Sequence, residues 1–63
     1  MSLGRNLMIM MYDRRLSHRE LAKAAGCTES MISRVISGER DISSEKLKRI
    51  AEYLGVSVDE LLK

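Results

Sequence analysis

The sequence predicts an all-α fold in which five short helices pack into one compact domain. Apolar residues recur at intervals of three and four along almost the whole chain, which is the spacing of one helix face. A serine or threonine that can cap a helix stands before four of these stretches. The 63 residues include no proline, phenylalanine or tryptophan, so we expect a core of aliphatic side chains packed between helices.

The first helix is predicted to run from Ser2 or Leu3 to about Arg14. One of its sides carries Leu3, Leu7, Met10, Met11 and Arg14. The segment from Leu7 to Tyr12 is apolar on more than one face of this helix. It fits a well-buried helix with one or two exposed methionines, and it also fits a contact surface for a second subunit or another domain.

The second and third helices, within about residues 17–37, have the pattern of a helix-turn-helix. The second helix places Leu21, Ala22 and Ala25 on one face, and Gly26 permits the left-handed backbone that ends it. The small side chain of Ala22 lets the next helix pass closely. The apolar face then resumes in the third helix at Ile32 and Val35.

Local start signals support these helices and the two that follow. Capping boxes with a preceding apolar residue are formed by Ser17 and Glu20 and by Ser57 and Glu60. Thr28 is a good N-cap, and Cys27 before it can pack on the next turn. Ser43 is predicted to cap a fourth helix that Gly55 ends, with the apolar face Leu47, Ile50, Ala51 and Leu54.

Size and composition exclude several classes of protein. A chain of 63 residues is one domain, residues 1–63, and is too small for a deep catalytic cleft. It offers no catalytic triad or glycine-rich phosphate loop, so we expect neither an enzyme nor a bound cofactor. One cysteine and one histidine do not make a metal site. The longest apolar run is far shorter than the roughly 20 residues of a membrane span, so a cytoplasmic protein without membrane contact is expected.

Positive charge is concentrated in the first two thirds of the chain. Residues 1–40 hold seven Lys or Arg against four Asp or Glu, a net charge of +3, whereas residues 41–63 have a net charge of −1. The basic part coincides with the predicted helix-turn-helix. Because Lys and Arg release counterions from phosphates on binding, a polyanion is the expected partner, although an ordinary solvated surface has a similar charge.

Residues 16–62, LSHRELAKAAGCTESMISRVISGERDISSEKLKRIAEYLGVSVDELL, resemble the phage-repressor and Cro-type family, the XRE or lambda-repressor-like group of bacterial and phage DNA-binding domains. The resemblance implies a five-helix domain whose recognition helix, residues 28–37, lies in the major groove of double-stranded DNA. It further implies a transcriptional regulator, with repression as the expected mode, that acts as a homodimer on a palindromic operator. The alternative is an antitoxin or accessory protein that uses the same fold chiefly to bind a protein.

The resemblance assigns the base contacts by position to the exposed face of the recognition helix. The residues are Thr28, Glu29, Ser30, Ser33 and Arg34. The guanidinium of Arg34 matches O6 and N7 of guanine, but it could instead contact a phosphate or pair with Glu29. Glu29 could accept a hydrogen bond from cytosine N4 or simply complement the helix dipole.

Phosphate contacts are expected on both sides of the recognition helix. The residues are Ser17, His18 and Arg19 at the start of the second helix, and Ser37, Gly38, Arg40 and Ser43 after the third. The resemblance places the dimer contact near the end of the chain, at Val58, Glu60 and Leu62.

Two positions depart from the family pattern in ways that concern structure. Met11 and Ile36 stand where the family frequently has an Arg–Glu ion pair, so we expect packing alone to hold the first helix. Arg15 stands where the family usually has glycine, and a left-handed backbone there costs about 1 kcal/mol.

Overall fold

A computed structural model describes residues 2–63 and consists of five helices, with no strand in this range. The all-α prediction is therefore confirmed, and the Cα trace fills a compact volume of 23 × 21 × 21 Å. The helices are α1 (Leu3–Arg14), α2 (His18–Ala25), α3 (Glu29–Ser37), α4 (Ser44–Leu54) and α5 (Val58–Leu62).

Each helix begins at a hydroxyl side chain that accepts a hydrogen bond from the N–H group three residues ahead. The predicted capping boxes of α2 and α5 are both complete. The apolar residue before each cap packs on the core at four helix starts, namely Leu16, Cys27, Ile42 and Val56. These starts depend on contacts within a few residues, which is why the sequence predicts them well. The caps are Ser2, Ser17, Thr28, Ser43 and Ser57.

Four of the five helices end at a residue with a left-handed backbone. Three of these residues are glycines, and Gly26 ends α2 at φ 78° as predicted. The fourth is Arg15, with φ 54° and ψ 45°, so the departure from the family's glycine places a side chain in a disfavoured region. The cost is about 1 kcal/mol relative to glycine.

The core lies where α2 packs on α3 and α4, and α1 on α3 and α5. Leu21 and Ile32 are fully buried at the crossing of α2 and α3, and Ala22 is also buried, as the helix-turn-helix pattern requires. The buried apolar residues are Leu7, Met11, Leu21, Ala22, Ala25, Ile32, Val35, Leu47, Ile50, Ala51, Leu54 and Leu61.

Gly4 of α1 packs directly against the backbone of α3 at Ile36. A Cβ atom placed on it would overlap the carbonyl oxygen of Ile36 and lie 2.8 Å from the carbonyl carbon. Since glycine is a weaker helix former than alanine, the role of Gly4 in the first turn of α1 is close packing rather than helix stability. The sequence alone did not indicate this contact.

The prediction that packing alone holds α1 is wrong, because a buried polar side chain ties α1 to α5. The Nδ2 group of Asn6 donates to the carbonyl oxygens of Leu61 at 2.7 Å and Lys63 at 3.0 Å. Leu61 is in the last turn of α5 and Lys63 is its C-cap residue, so the helix itself supplies no N–H partner for these carbonyls. Asn6 is 6% exposed and serves as a cap for α5 from across the core.

The apolar segment of α1 divides between two faces. Leu7 and Met11 are buried and Met10 is half-buried, whereas Met8 (55% exposed), Ile9 (44%) and Tyr12 (85%) face outward. The outward set is larger than the one or two methionines of the buried-helix interpretation. Among the described helices, none has the length and apolar character needed to cross a membrane.

Candidate nucleic-acid interface

The candidate interface is the outward face of α3. Helical spacing turns Ile32 and Val35 into the core, and Met31 is half-buried beside them. The opposite side is exposed along the whole helix and consists of the residues assigned to base contact together with Ser37. These are Thr28, Glu29, Ser30, Ser33, Arg34 and Ser37.

Two hydroxyls on this face already have partners within the protein. Oγ1 of Thr28 accepts a hydrogen bond from the N–H group of Met31 at 3.1 Å, so this hydroxyl serves as the N-cap of α3. The Ser37 hydroxyl donates to the carbonyl oxygen of Arg34 at 3.0 Å. Both hydroxyls keep lone pairs for a further donor.

The side chain of Arg34 is free to bind a ligand. The one ion pair among residues 2–63 joins Arg49 to Glu45, so Arg34 is not paired with Glu29. The two residues are five positions apart and do not lie above one another on α3. The guanidinium therefore presents five N–H donors in a planar fork on an exposed face, the arrangement suited to guanine or to phosphate.

The start of α2 offers fewer free donors than the sequence suggests. Both the N–H group and the hydroxyl of Ser17 are engaged with Glu20 in the capping box. The first backbone donors without a helical acceptor are therefore those of His18 and Arg19. Because the Glu20 carboxylate lies at the same helix end, a phosphate there depends on the positive side chain of Arg19 as well as on backbone N–H groups.

A shallow groove between α2 and α3 adds one residue that the sequence analysis missed. Arg19 and Lys23 line it from α2, Thr28 and Glu29 line it from the start of α3, and Ala22 and Cys27 complete it. Lys23 is thus placed beside the base-contact face. The signal was present in the sequence, since Lys23 follows Arg19 by four residues and shares its helix face.

The loop after α3 presents side chains rather than backbone donors. The N–H groups of Gly38, Glu39 and Arg40 all bond to carbonyls in the last turn of α3. Ser43 accepts from the N–H group of Lys46 as the cap of α4. The positive charge available to a phosphate in this loop is therefore the exposed Arg40 guanidinium.

The predicted dimer residues do not share one face of α5, because Val58 and Leu62 are four residues apart on one side and Glu60 lies on the other side. Val58 is half-buried, Leu62 is 52% exposed, and the Glu60 carboxylate accepts the N–H group of Ser57 at 3.4 Å in the second capping box. Leu62 is consequently the one large, exposed apolar side chain of the three.

Several solved structures that have the same fold are described as regulators or transcription factors. The restriction-modification controller protein C.AhdI from Aeromonas hydrophila is 27% identical over 95% of this chain and 91% of its own, with a TM-score of 0.88. The clp gene regulator ClgR from Corynebacterium glutamicum is 32% identical over 94% of this chain and 63% of its own, with a TM-score of 0.87. A hypothetical transcription factor, NHTF from Neisseria, is 26% identical over 97% of this chain and 70% of its own, with a TM-score of 0.87.

This chain thus spans less than two thirds of the ClgR chain but nearly all of C.AhdI. No curated protein matches the sequence. The family model for helix-turn-helix proteins matches residues 11–61, which extends from the last turns of α1 to Leu61 in α5. The chain belongs to the helix-turn-helix family of the XRE, lambda-repressor-like type.

Proposed function

We propose that this protein is a sequence-specific, double-stranded-DNA-binding transcriptional regulator whose helix α3 reads bases in the major groove. The observation that carries the proposal is the exposed polar face of α3, which includes an Arg34 side chain without an ion-pair partner among residues 2–63. Membership of the helix-turn-helix family and the regulators among the structural neighbours support the same function. Repression is the mode we propose.

On this proposal the contacts divide into two groups. Glu29, Ser30 and Arg34 reach base edges, helped by Thr28 and Ser33, because they occupy the exposed face of the recognition helix. Arg19, Lys23 and Arg40 hold the flanking phosphates, together with His18 and the Ser17, Ser37, Gly38 and Ser43 positions. The base contacts give specificity, and the cations give affinity that falls with salt.

We further propose that two copies act together on a palindromic operator. One domain covers a single half-site, and half-sites read by a symmetric dimer lie about 34 Å apart. With Cα extents of 21 to 23 Å, one copy is too small to reach two half-sites at that separation. A single half-site is also a small interface for a physiological affinity.

Selection of binding sites from a randomised DNA duplex tests the function. The protein is incubated with the pool at a stated salt concentration, and bound duplexes are sequenced after several rounds. We expect an enriched inverted repeat whose half-sites are about one helical turn apart. A pool without enrichment would contradict the proposal and would favour a role in binding a protein.

A further inference from the structure

The outward face of α1 carries a charge pattern that is complementary to itself. Arg5, Ile9 and Asp13 follow one another at intervals of four residues, so they form one exposed stripe along the helix. The stripe reads basic, apolar, acidic, with Ile9 at its midpoint. Met8 and Tyr12 lie beside it and widen its apolar centre.

This stripe cannot satisfy its own charges. Arg5 and Asp13 are eight positions apart, which is about 12 Å along a helix and too far for an ion pair. Neither residue is in an ion pair with another part of residues 2–63. An antiparallel copy of the same helix centred on Ile9 places each acidic end over a basic end, so both charges find a partner at once.

The charges of Arg5 and Asp13 are also placed unfavourably with respect to the dipole of α1. Arg5 is in the first turn, where the helix dipole favours an acidic residue, and no acidic residue is present there. Asp13 is in the last turn, where a basic residue is favoured. Their arrangement therefore works against the monomer but suits an antiparallel pair.

Exposed apolar side chains support the same surface. Five large apolar residues are exposed in the described part of the chain, and three of them, Met8, Ile9 and Tyr12, are on this face. The predicted dimer surface near the end of the chain contributes Leu62 alone. A stable interface has an apolar centre, and the face of α1 supplies three large exposed apolar side chains for one.

We propose that α1 joins two copies of this chain as an antiparallel helix pair, with Ile9 at the twofold axis and Arg5 opposite the partner's Asp13. The occupant of this face is thus a second copy of the protein. The inference rests on the proposed function in one respect, which is that two copies are needed on an operator. Self-association is measured without DNA, so either proposal can fail while the other stands.

Charge exchange across the proposed axis provides the test. The dimer dissociation constant is measured by analytical ultracentrifugation for the wild type, Arg5→Asp, Asp13→Arg and the double variant. Each single variant sets like charges against each other twice in the dimer, so we expect at least a tenfold weaker dimer. The double variant restores opposite charges and should dimerise within about threefold of the wild type.

The thermal stability of the monomer provides the control. The same charge changes that weaken the dimer should leave the monomer as stable as the wild type or make it more stable. Each single variant improves the match to the helix dipole, so its thermal midpoint, followed by circular dichroism under conditions where all the variants are monomeric, should equal or exceed that of the wild type. A weaker dimer together with a retained or raised midpoint cannot come from misfolding.

Ile9→Lys and Leu62→Lys compare the two candidate surfaces directly. We expect Ile9→Lys to abolish dimerisation and Leu62→Lys to change the dissociation constant by less than threefold. A monomeric wild type at millimolar concentration would overturn the inference, as would a dimer lost in Leu62→Lys and kept in Ile9→Lys. A double charge variant no tighter than the single variants would overturn the antiparallel arrangement.

Discussion

At the scale of single residues, Asn6 shows how one polar side chain connects distant parts of the chain. It joins α1 to carbonyls of Leu61 and Lys63, 55 and 57 residues away. The sequence does not reveal this role, because the partners of Asn6 are distant along the chain and no local motif identifies them. The exposed positions of α3 are different, since helical periodicity alone separates Ser33 and Arg34 from Ile32 and Val35.

Replacing Asn6 by alanine should destabilise the domain by about 2 kcal/mol, because two carbonyl groups lose their donor. The free energy of unfolding from urea titration measures the effect. Ser30→Ala, on the exposed face of α3, is the matched control and should change it by less than about 0.5 kcal/mol. Equal stability of the Asn6 variant and the wild type would show that the two hydrogen bonds contribute nothing net.

At the scale of the helices, what could be predicted depends on how far apart the interacting residues lie. The helix starts at Ser17, Thr28, Ser43 and Ser57 are visible in the sequence because a cap and its partner are three residues apart. The left-handed end of α1 at Arg15 followed from the family resemblance. The contact of Gly4 with α3 could not be predicted, since it depends on how two helices cross.

The Gly4→Ala variant shows whether close packing or helix propensity dominates the stability at this position. Propensity predicts a gain of about 1 kcal/mol for alanine inside a helix. The overlap with the carbonyl of Ile36 predicts instead a loss of at least about 2 kcal/mol, because backbone must move. Thermal unfolding followed by circular dichroism decides the sign, with Ser33→Ala as a helical control that should be neutral or slightly stabilising. A stabilised Gly4→Ala variant would mean that α1 shifts away from α3 at little cost.

At the scale of the whole molecule, the two proposals use separate surfaces, the exposed polar face of α3 for DNA and the outward face of α1 for a second copy. The sequence predicted the first as a set of residues but not the hydrogen bond from the Ser37 hydroxyl to the carbonyl of Arg34 or the place of Lys23 in the groove. For the second, it left a buried helix and an interface as alternatives. Which apolar residues of α1 are exposed depends on how the whole helix packs against α3 and α5, and the sequence does not show this packing.

The central claim is that Arg34 reads a base while the cations around α3 hold the backbone. The most direct measurement is the ratio of affinities for the selected operator and for a scrambled duplex, at several salt concentrations, for wild type, Arg34→Ala and Arg40→Ala. Arg34→Ala should lower this ratio by roughly tenfold or more, whereas Arg40→Ala should weaken both duplexes alike and reduce the salt slope by about 1. A ratio unchanged by Arg34→Ala, in a variant that remains folded, would contradict the claim.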